Sequence, residues 1–192
     1  MPNSMTHLIL ARKISKSGDT EYLIGNIAPD AVCDRGIKDS THFRNITNRE
    51  PALIELASKT NEKDSFSEGI LIHLYLDWKW DIRFTNKFFS EIKFGGFQRY
   101  REEISLAGSH SFHNEEWSKK VWEDMEFYDM DLYGKVNGAE SAEVKEFISR
   151  NHKWHSEHVL GPSSIFTPEL IEEFTDITAK EYINWRKIHT KL

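Results

Sequence analysis

Apolar positions recur at helical spacing through much of the chain, and the densest run is Gly69 to Asp81, which reads GILIHLYLDWKWD. Its apolar residues fall at three- and four-residue intervals and extend around most of the helical circumference. The pattern predicts a central helix that is buried on nearly all sides. We expect it to begin after a cap at Asp64 or Ser65 and to continue past Trp80 towards Phe89.

Further stretches combine helical periodicity with cap residues, glycine or proline at their ends. They cover about Met5 to Lys16, Pro51 to Lys59, Phe97 to Ala107, Glu115 to Tyr133, Glu140 to Trp154 and Pro168 to Ile188. No stretch alternates as a strand does between hairpin turns, and no internal repeat is present. The sequence therefore predicts an all-α fold, a compact bundle of about six or seven helices that forms a single domain over residues 1–192.

Two segments between these helices are not predicted to form a long helix. EYLIGNIAPDAV contains Gly25 and Pro29, which break a long helix, and Asp30 follows the proline in a turn that can fix a carboxylate in place. CDRGIKDSTHFRNIT is polar and carries His42 just before the apolar Phe43. It is typical of a loop, and loops held by a rigid scaffold often carry functional groups.

Composition and charge exclude several classes of protein. The chain has 25 lysines and arginines against 31 aspartates and glutamates, a net charge of −6, and no basic tract, which argues against a docking surface for duplex nucleic acid. The single cysteine, Cys33, excludes an intramolecular disulfide and fits a reducing compartment. No apolar run approaches the roughly 20 residues of a membrane span. The N-terminal segment also lacks the basic residues and following apolar run of a secretion signal. We therefore expect a cytoplasmic protein.

The central helix carries an imidazole and a carboxylate on one face. His73 and Asp77 are four residues apart, which is about one helical turn. Because the surroundings are so apolar, an unpaired Asp77 carboxylate would be costly, and some group must satisfy it. A core hydrogen bond to His73, a tyrosine or an arginine would do so. A divalent metal held by His and Asp, two residue types that bind zinc, would do so as well.

The remaining histidines give weaker signals. His7 lies in the first turn of the first predicted helix, where a structural role and a ligand role both fit. His110 and His113 have the polar surroundings of an exposed loop. The spacing of His152, His155 and His158 could place two imidazoles on one metal. Beside charged residues, however, such a cluster is more often a solvated helix terminus. The serine elbow, the P-loop, HExxH and paired CxxC motifs are all missing from the sequence.

Four short segments, taken in order, resemble the zinc-dependent phospholipase C and nuclease superfamily, and especially its short bacterial members without a leader. The segments are MTHLIL, IGNIAPDA, THFR and GILIHLYLDWKWD, and the resemblance covers about residues 5–81. Members of that family are all-α and bind up to three zinc ions in a cleft where phosphoesters are hydrolysed. The resemblance implies the same fold and a small-molecule or lipid phosphoester as substrate.

The family's metal ligands follow a fixed order: an early His, an Asp in a proline turn, a loop His, and a His-x-x-x-Asp pair on a central helix. The positions that match this order here are His7, Asp30, His42, His73 and Asp77. The resemblance therefore implies a mixed nitrogen and oxygen site suited to Zn²⁺, with a metal-bound water as the nucleophile. In that site Asp30 would be a ligand or the catalytic base.

Departures from the family pattern predict a smaller metal cluster. Secreted members use a free N-terminal Trp amine as a ligand, whereas this chain starts Met1-Pro2. Members with the full cluster carry a His shortly after the helical Asp, but residues 78–83 contain none. Their downstream His-x-x-x-Asp or Glu pair is also missing, since Ser156 stands four residues after His152. We expect one or two zinc ions, or another divalent metal, and not three.

Two functions remain open at this point. The first is a metal-dependent hydrolase of a phosphoester. The second is a non-catalytic helical protein of the same fold, which retains at most a structural metal and acts through an interaction surface. The missing downstream ligands favour the second. The sequence identifies neither the substrate nor the oligomeric state.

Overall fold

The computed structural model describes residues 1–16, 18–85, 88, 96–129 and 136–189. In these residues the chain forms nine α-helices and no strand, which confirms the all-α prediction. The helices are α1 Ser4–Ile14, α2 Thr20–Ile27, α3 Arg35–Thr41, α4 Glu50–Lys59, α5 Ser65–Trp80, α6 Gly96–Asn114, α7 Ser118–Glu126, α8 Ser141–Glu157 and α9 Pro168–His189. A one-turn 3-10 helix, Ala28–Ala31, follows α2, and a π-helical turn, Asp81–Thr85, continues α5.

Helix α5 lies at the centre, as its apolar pattern predicts. Asp64 caps it, because its Oδ1 accepts a hydrogen bond from the Ser67 backbone N–H at 3.2 Å. Most of the helix is buried, including its polar residues His73 and Asp77. Helices α1, α2, α4 and α9 all pack against it. The helical path continues to Thr85, while residues 86, 87 and 89 of the predicted extension lie outside the described residues.

Two glycines set the distance between α2 and α5. A Cβ atom on Gly25 would lie 2.1 Å from the carbonyl oxygen of Phe66, and one on Gly69 would lie 2.2 Å from that of Tyr22. The two helices are therefore in backbone contact, which only residues without a Cβ allow. This crossing brings the carboxyl end of α2 beside the His73 turn of α5.

Helices α6, α7 and α8 form a second group that packs on α1, α2, the 3-10 turn and α9. Two buried tryptophans connect the groups. Trp80 Nε1 on α5 donates to the hydroxyl oxygen of Tyr100 on α6 at 2.7 Å. Trp122 Nε1 on α7 lies 3.2 Å from Met5 Sδ on α1. The large aromatic content thus fills the spaces between helices.

The prediction of six or seven helices is too low. A short helix forms in the segment where Gly25 and Pro29 were expected to break any long helix, and another forms in the segment predicted to be a loop. In α2, Gly25 sits inside the helix and permits the contact with α5, while Pro29 follows in the 3-10 turn. In α3, Asp34 accepts from the Ile37 backbone N–H at 2.8 Å and caps a helix with no buried residue. A polar, exposed helix has no hydrophobic period, so its sequence looks like a loop.

Helix boundaries differ in the second half. Helix α6 continues to Asn114, so His110 and His113 lie on a helix and not in the expected loop. Of the helix predicted over residues 115–133, the helical part within the described residues is α7, and residues 130–133 fall outside them. Among the described residues, no helix is both long and apolar enough to cross a membrane.

Candidate metal centre

The structure brings all five predicted ligand residues together. His7 comes from α1, Asp30 from the 3-10 turn, His42 directly follows α3, and His73 and Asp77 lie on α5. The four residues other than Asp30 are at most 1% exposed. Five titratable side chains from four parts of the chain therefore share one buried region.

Three ligand atoms in this region lie at separations close to those around a bound metal ion. His42 Nε2 is 3.2 Å from His73 Nε2. Asp77 Oδ2 is 3.8 Å from His42 Nε2 and 4.0 Å from His73 Nε2. Ligand atoms that are each about 2.0–2.2 Å from a tetrahedral zinc ion are roughly 3.3–3.6 Å from one another. The observed triangle is close to that size.

The two imidazoles are oriented by backbone carbonyl groups. His73 Nδ1 lies 2.8 Å from the carbonyl oxygen of Asn26, and His42 Nδ1 lies 2.8 Å from that of Lys38. A carbonyl only accepts, so each Nδ1 carries the proton and each Nε2 presents a lone pair. Two lone pairs 3.2 Å apart form no hydrogen bond with each other. A cation between them removes that conflict, and such carbonyl partners are usual for histidine ligands.

His7 and Asp30 complete a second group around His73, with ligand atoms within 4.8 Å of one another. The ring of His7 stacks on that of His73 at a centroid distance of 3.9 Å. Both ring nitrogens of His7 are buried without a hydrogen-bond partner among the described residues, and so is Asp77 Oδ1. His7 Nε2 and Asp77 Oδ1 are 3.5 Å apart. Buried polar atoms of this kind are costly unless a ligand satisfies them.

Both carboxylates are also paired with a cation from the chain. Lys38 Nζ lies 2.8 Å from Asp30 Oδ1, and Arg44 Nη2 donates to Asp77 Oδ2 at 2.7 Å. Burial alone would raise the pKa of Asp30, but Lys38 and then His73 lower it below its usual value. Burial would likewise raise the pKa of Asp77, but His7 and Arg44 hold it well below its usual range. Both side chains are therefore carboxylates at neutral pH.

Burial has the opposite effect on the imidazoles. It lowers the pKa of His42, against the pull of Asp77 and Asp30. It lowers the pKa of His73 further, and His7 adds to the decrease. Both rings are therefore neutral at pH 7, which is the form that binds a metal. Ionised carboxylates beside neutral imidazoles make a donor set that fits Zn²⁺.

A turn at the end of α3 positions His42 and Arg44. The Arg44 N–H donates to the Asp39 carbonyl at 2.7 Å and the Phe43 N–H to the Ser40 carbonyl at 3.0 Å. This is the Schellman pattern of a helix end, with Phe43 in the left-handed region at φ 55°. Glycine usually occupies that position, so a phenylalanine there is strained. This turn places His42 beside His73 and Arg44 beside Asp77.

A cleft of about 1000 Å³ adjoins the cluster. Lys38 and Arg44, which pair with Asp30 and Asp77, also line this cleft. Sequence reasoning missed both cations. Arg44 lies inside the THFR segment and could have been noticed there, whereas Lys38 reaches Asp30 only because α3 is helical.

The C-terminal histidines do not form the solvated helix terminus that the sequence predicts. His155 is 3% exposed and stacks on Phe112 at a centroid distance of 5.2 Å. Burial lowers its pKa to about 4, and the nearby His113 contributes to the decrease. His152 Nδ1 lies 2.7 Å from Glu126 Oε2. Within the described residues, none of these histidines belongs to a group that could hold a metal.

Comparisons of the chain with protein-family models, with curated proteins and with solved structures find no match. The resemblance to the zinc-dependent phospholipase C and nuclease superfamily thus stays a prediction from the quoted segments. What the structure establishes is an all-helical protein with buried His and Asp groups that could hold a metal ion.

Proposed function

We propose that this chain binds a divalent metal ion, with zinc as the best fit, and hydrolyses a phosphoester beside it. The ligands are His42, His73 and Asp77, with His7 and Asp30 completing the site for one or two ions. The observation that carries the proposal is the convergence of two Nε2 lone pairs and an ionised carboxylate in a buried site. Imidazole and carboxylate are the donor types of catalytic zinc sites.

A bound zinc ion supplies a Lewis acid and a water of lowered pKa. The residues of the chain have separate tasks around it. Asp30 is the proposed catalytic residue, as a ligand or as the base that takes the proton from the attacking water. Because its pKa is lowered, it is always ionised but is a weak base, so the ligand role has the better support. Lys38 and Arg44 offset negative charge on the phosphate oxygens.

A second candidate function has one observation in its favour. Lys38 and Arg44 neutralise the two carboxylates without any metal. The cluster could therefore be a charge-balanced core of a non-catalytic protein that acts through an interaction surface. In that case Asp77 would be satisfied by Arg44, as buried carboxylates commonly are by an arginine.

Metal content and turnover separate the two candidates. The protein is purified, incubated with zinc and freed of excess metal. Elemental analysis then measures bound metal, and turnover is assayed with the monoester p-nitrophenyl phosphate and the diester bis(p-nitrophenyl) phosphate. The hydrolase proposal expects at least one bound ion per chain and turnover that a chelator abolishes. Metal without turnover supports the non-catalytic candidate, and absence of both contradicts the metal site itself.

Single substitutions locate the site. His73→Ala and Asp77→Asn should each lower metal affinity by about 10- to 100-fold or more and remove the phosphoesterase activity. Asn keeps an acceptor for Arg44, so the loss of metal is not confused with exposure of an unpaired buried charge. The control is His158→Ala at the end of α8, because His158 belongs to neither described group that could hold a metal. This change should leave both metal and activity intact. If His158→Ala removes the metal and Asp77→Asn retains it, the metal binds near His158 and not at the proposed site.

A further inference from the structure

The cleft beside the metal cluster has a positive lining in a negatively charged protein. Its described lining contains five cationic side chains and two acidic ones, and the cations are Arg35, Lys38, Arg44, Arg49 and Arg101. The chain as a whole carries a net charge of −6. A local excess of the opposite sign inside a cleft concentrates anions there.

One of these cations has an unused hydrogen-bonding edge. Arg49 Nη2 donates to Asp81 Oδ2 at 2.7 Å, and Asp81 Oδ1 in turn accepts from Thr85 Oγ1 at 2.8 Å. These bonds fix the guanidinium in place. Its Nη1 atom is buried and has no hydrogen-bond partner among the described residues. A buried unsatisfied donor is costly, and a fixed guanidinium fork matches the geometry of a phosphate group.

The other cations at the mouth of the cluster are already engaged. Arg44 bonds to Asp77 and lies 3.5 Å from Asp81, and Lys38 is paired with Asp30. Arg35 and Arg101 are exposed, and Arg35 has only a 3.8 Å contact with Asp39. Of the five cations, Arg49 is therefore the one that combines a free donor with a fixed position. This makes it the best candidate in the described lining for contact with a ligand.

Apolar side chains line the rest of the cleft. Trp78, Ile82 and Phe97 lie along it, and the last two are 58% and 65% exposed. A volume of about 1000 Å³ is ample for a small organic molecule. A cationic patch next to exposed apolar surface suits a ligand with an anionic end and an apolar body.

We propose that Arg49 is an anion-binding residue and that the cleft takes a phosphomonoester whose organic part is apolar and uncharged. The proposal deepens the proposed function and rests on it in treating this cleft as the approach to the metal cluster. A zwitterionic ester with a quaternary ammonium group fits poorly, because such a group needs free acidic or aromatic surroundings. Lys79 already lies over the ring of Trp78 at 4.6 Å, and Arg101 lies over that of Phe97 at 5.7 Å. Asp81 is occupied by Arg49 and Arg44, and Arg35 lies near Asp39.

Ligand binding to metal-free protein tests the inference without depending on hydrolysis. Isothermal titration at low ionic strength compares phenyl phosphate, phosphorylcholine and inorganic phosphate on chelator-treated, dialysed protein. Phenyl phosphate should bind most tightly. Arg49→Gln should weaken its binding by about tenfold or more, because a charged hydrogen-bond donor is lost. Arg99→Gln, an exposed arginine outside the described lining, should leave binding unchanged.

A second variant guards against misfolding. The double change Arg49→Gln with Asp81→Asn removes both charges of the pair, so that no uncompensated charge remains, and it should show the same loss of phenyl phosphate binding. Any of three results overturns the proposal. Arg49→Gln and Arg99→Gln could bind phenyl phosphate equally well, the wild-type protein could bind phosphorylcholine more tightly than phenyl phosphate, or it could fail to bind phenyl phosphate. Because these titrations contain no metal, they leave the metal content and turnover experiments to decide the hydrolase separately.

Discussion

At the scale of single residues, the environment decides what each histidine can do. His73 is neutral and directs its Nε2 lone pair into the cluster because the Asn26 carbonyl binds its Nδ1 proton. His155 is buried as deeply, but it stacks on Phe112 and belongs to no described group that could hold a metal. The same residue type therefore has a proposed ligand role in one place and a packing role in the other.

His155 should make stability depend on pH. Its pKa is about 4 in the folded protein, against about 6.5 when unfolded. Below pH 6.5 the unfolded chain takes up a proton that the folded chain does not, so the free energy of unfolding falls as pH drops from about 6.5 towards 4. Between pH 7 and pH 5 the loss due to this residue should be roughly 2 kcal/mol.

The measurement is urea unfolding of the wild type and of His155→Phe at several pH values. The other histidines are the same in both proteins, so the difference in slope isolates His155. The variant should lose stability less steeply as the solution is acidified. Identical pH dependence in the two proteins would contradict the burial of a neutral imidazole at this position.

At the scale of elements, the crossing of α2 and α5 is the feature on which the site depends. Gly69 stands one turn before His73, and the backbone contact at this glycine is what allows the Asn26 carbonyl to reach the imidazole. The same crossing brings Asp30, just beyond α2, to the face of α5 that carries Asp77. The packing of α2 against α5 therefore also brings the candidate ligands together.

Gly69→Ala should therefore damage both stability and metal binding. The new Cβ would meet the Tyr22 carbonyl at 2.2 Å, and separation of the helices should cost about 1–3 kcal/mol or more. The control is Gly36→Ala in the exposed α3, where the nearest atom is a flexible Asp34 carboxylate oxygen at 3.3 Å. That change should stay within about 1 kcal/mol of the wild type. Chemical unfolding and zinc titration of both variants provide the comparison, and equal effects would refute the proposed importance of the crossing.

At the scale of the whole molecule, the five candidate ligands connect α1, the 3-10 turn, the end of α3 and α5. A metal that binds them therefore stabilises the folded state relative to the unfolded chain, in which these residues are far apart. Binding at a thousandfold excess over Kd contributes about 4 kcal/mol. For a protein of this size, this corresponds to an increase of about 8–16 °C in Tm.

Thermal unfolding with zinc and with a chelator tests this expectation. Zinc should raise the Tm of the wild-type protein and the chelator should reverse the change. Asp77→Asn should unfold at nearly the same temperature in both conditions, since it lacks a proposed ligand. A zinc effect of equal size in Asp77→Asn would mean that the stabilising ion binds elsewhere.

The sequence by itself determined the fold class and the identities of the clustered residues. The apolar run around His73 and Asp77 marks a buried helix, and its two polar residues stand out because burying them requires partners. The resemblance identified His7, Asp30 and His42 as candidate ligands from their order in the sequence. The negative net charge argued against binding of duplex nucleic acid, and the missing motifs argued against serine-elbow, P-loop and HExxH chemistry.

The tertiary structure alone decided which partners surround these residues and whether each of them is charged or neutral. Gly25 looks like a helix breaker in the sequence, and only the neighbouring helix shows that it serves close packing. The helix α3 has no buried face, so hydrophobic periodicity could not reveal it or its ion pair from Lys38 to Asp30. His155 has polar neighbours in sequence but apolar ones in space. Burial, protonation and pairing depend on contacts between residues far apart in the chain, which local patterns do not contain.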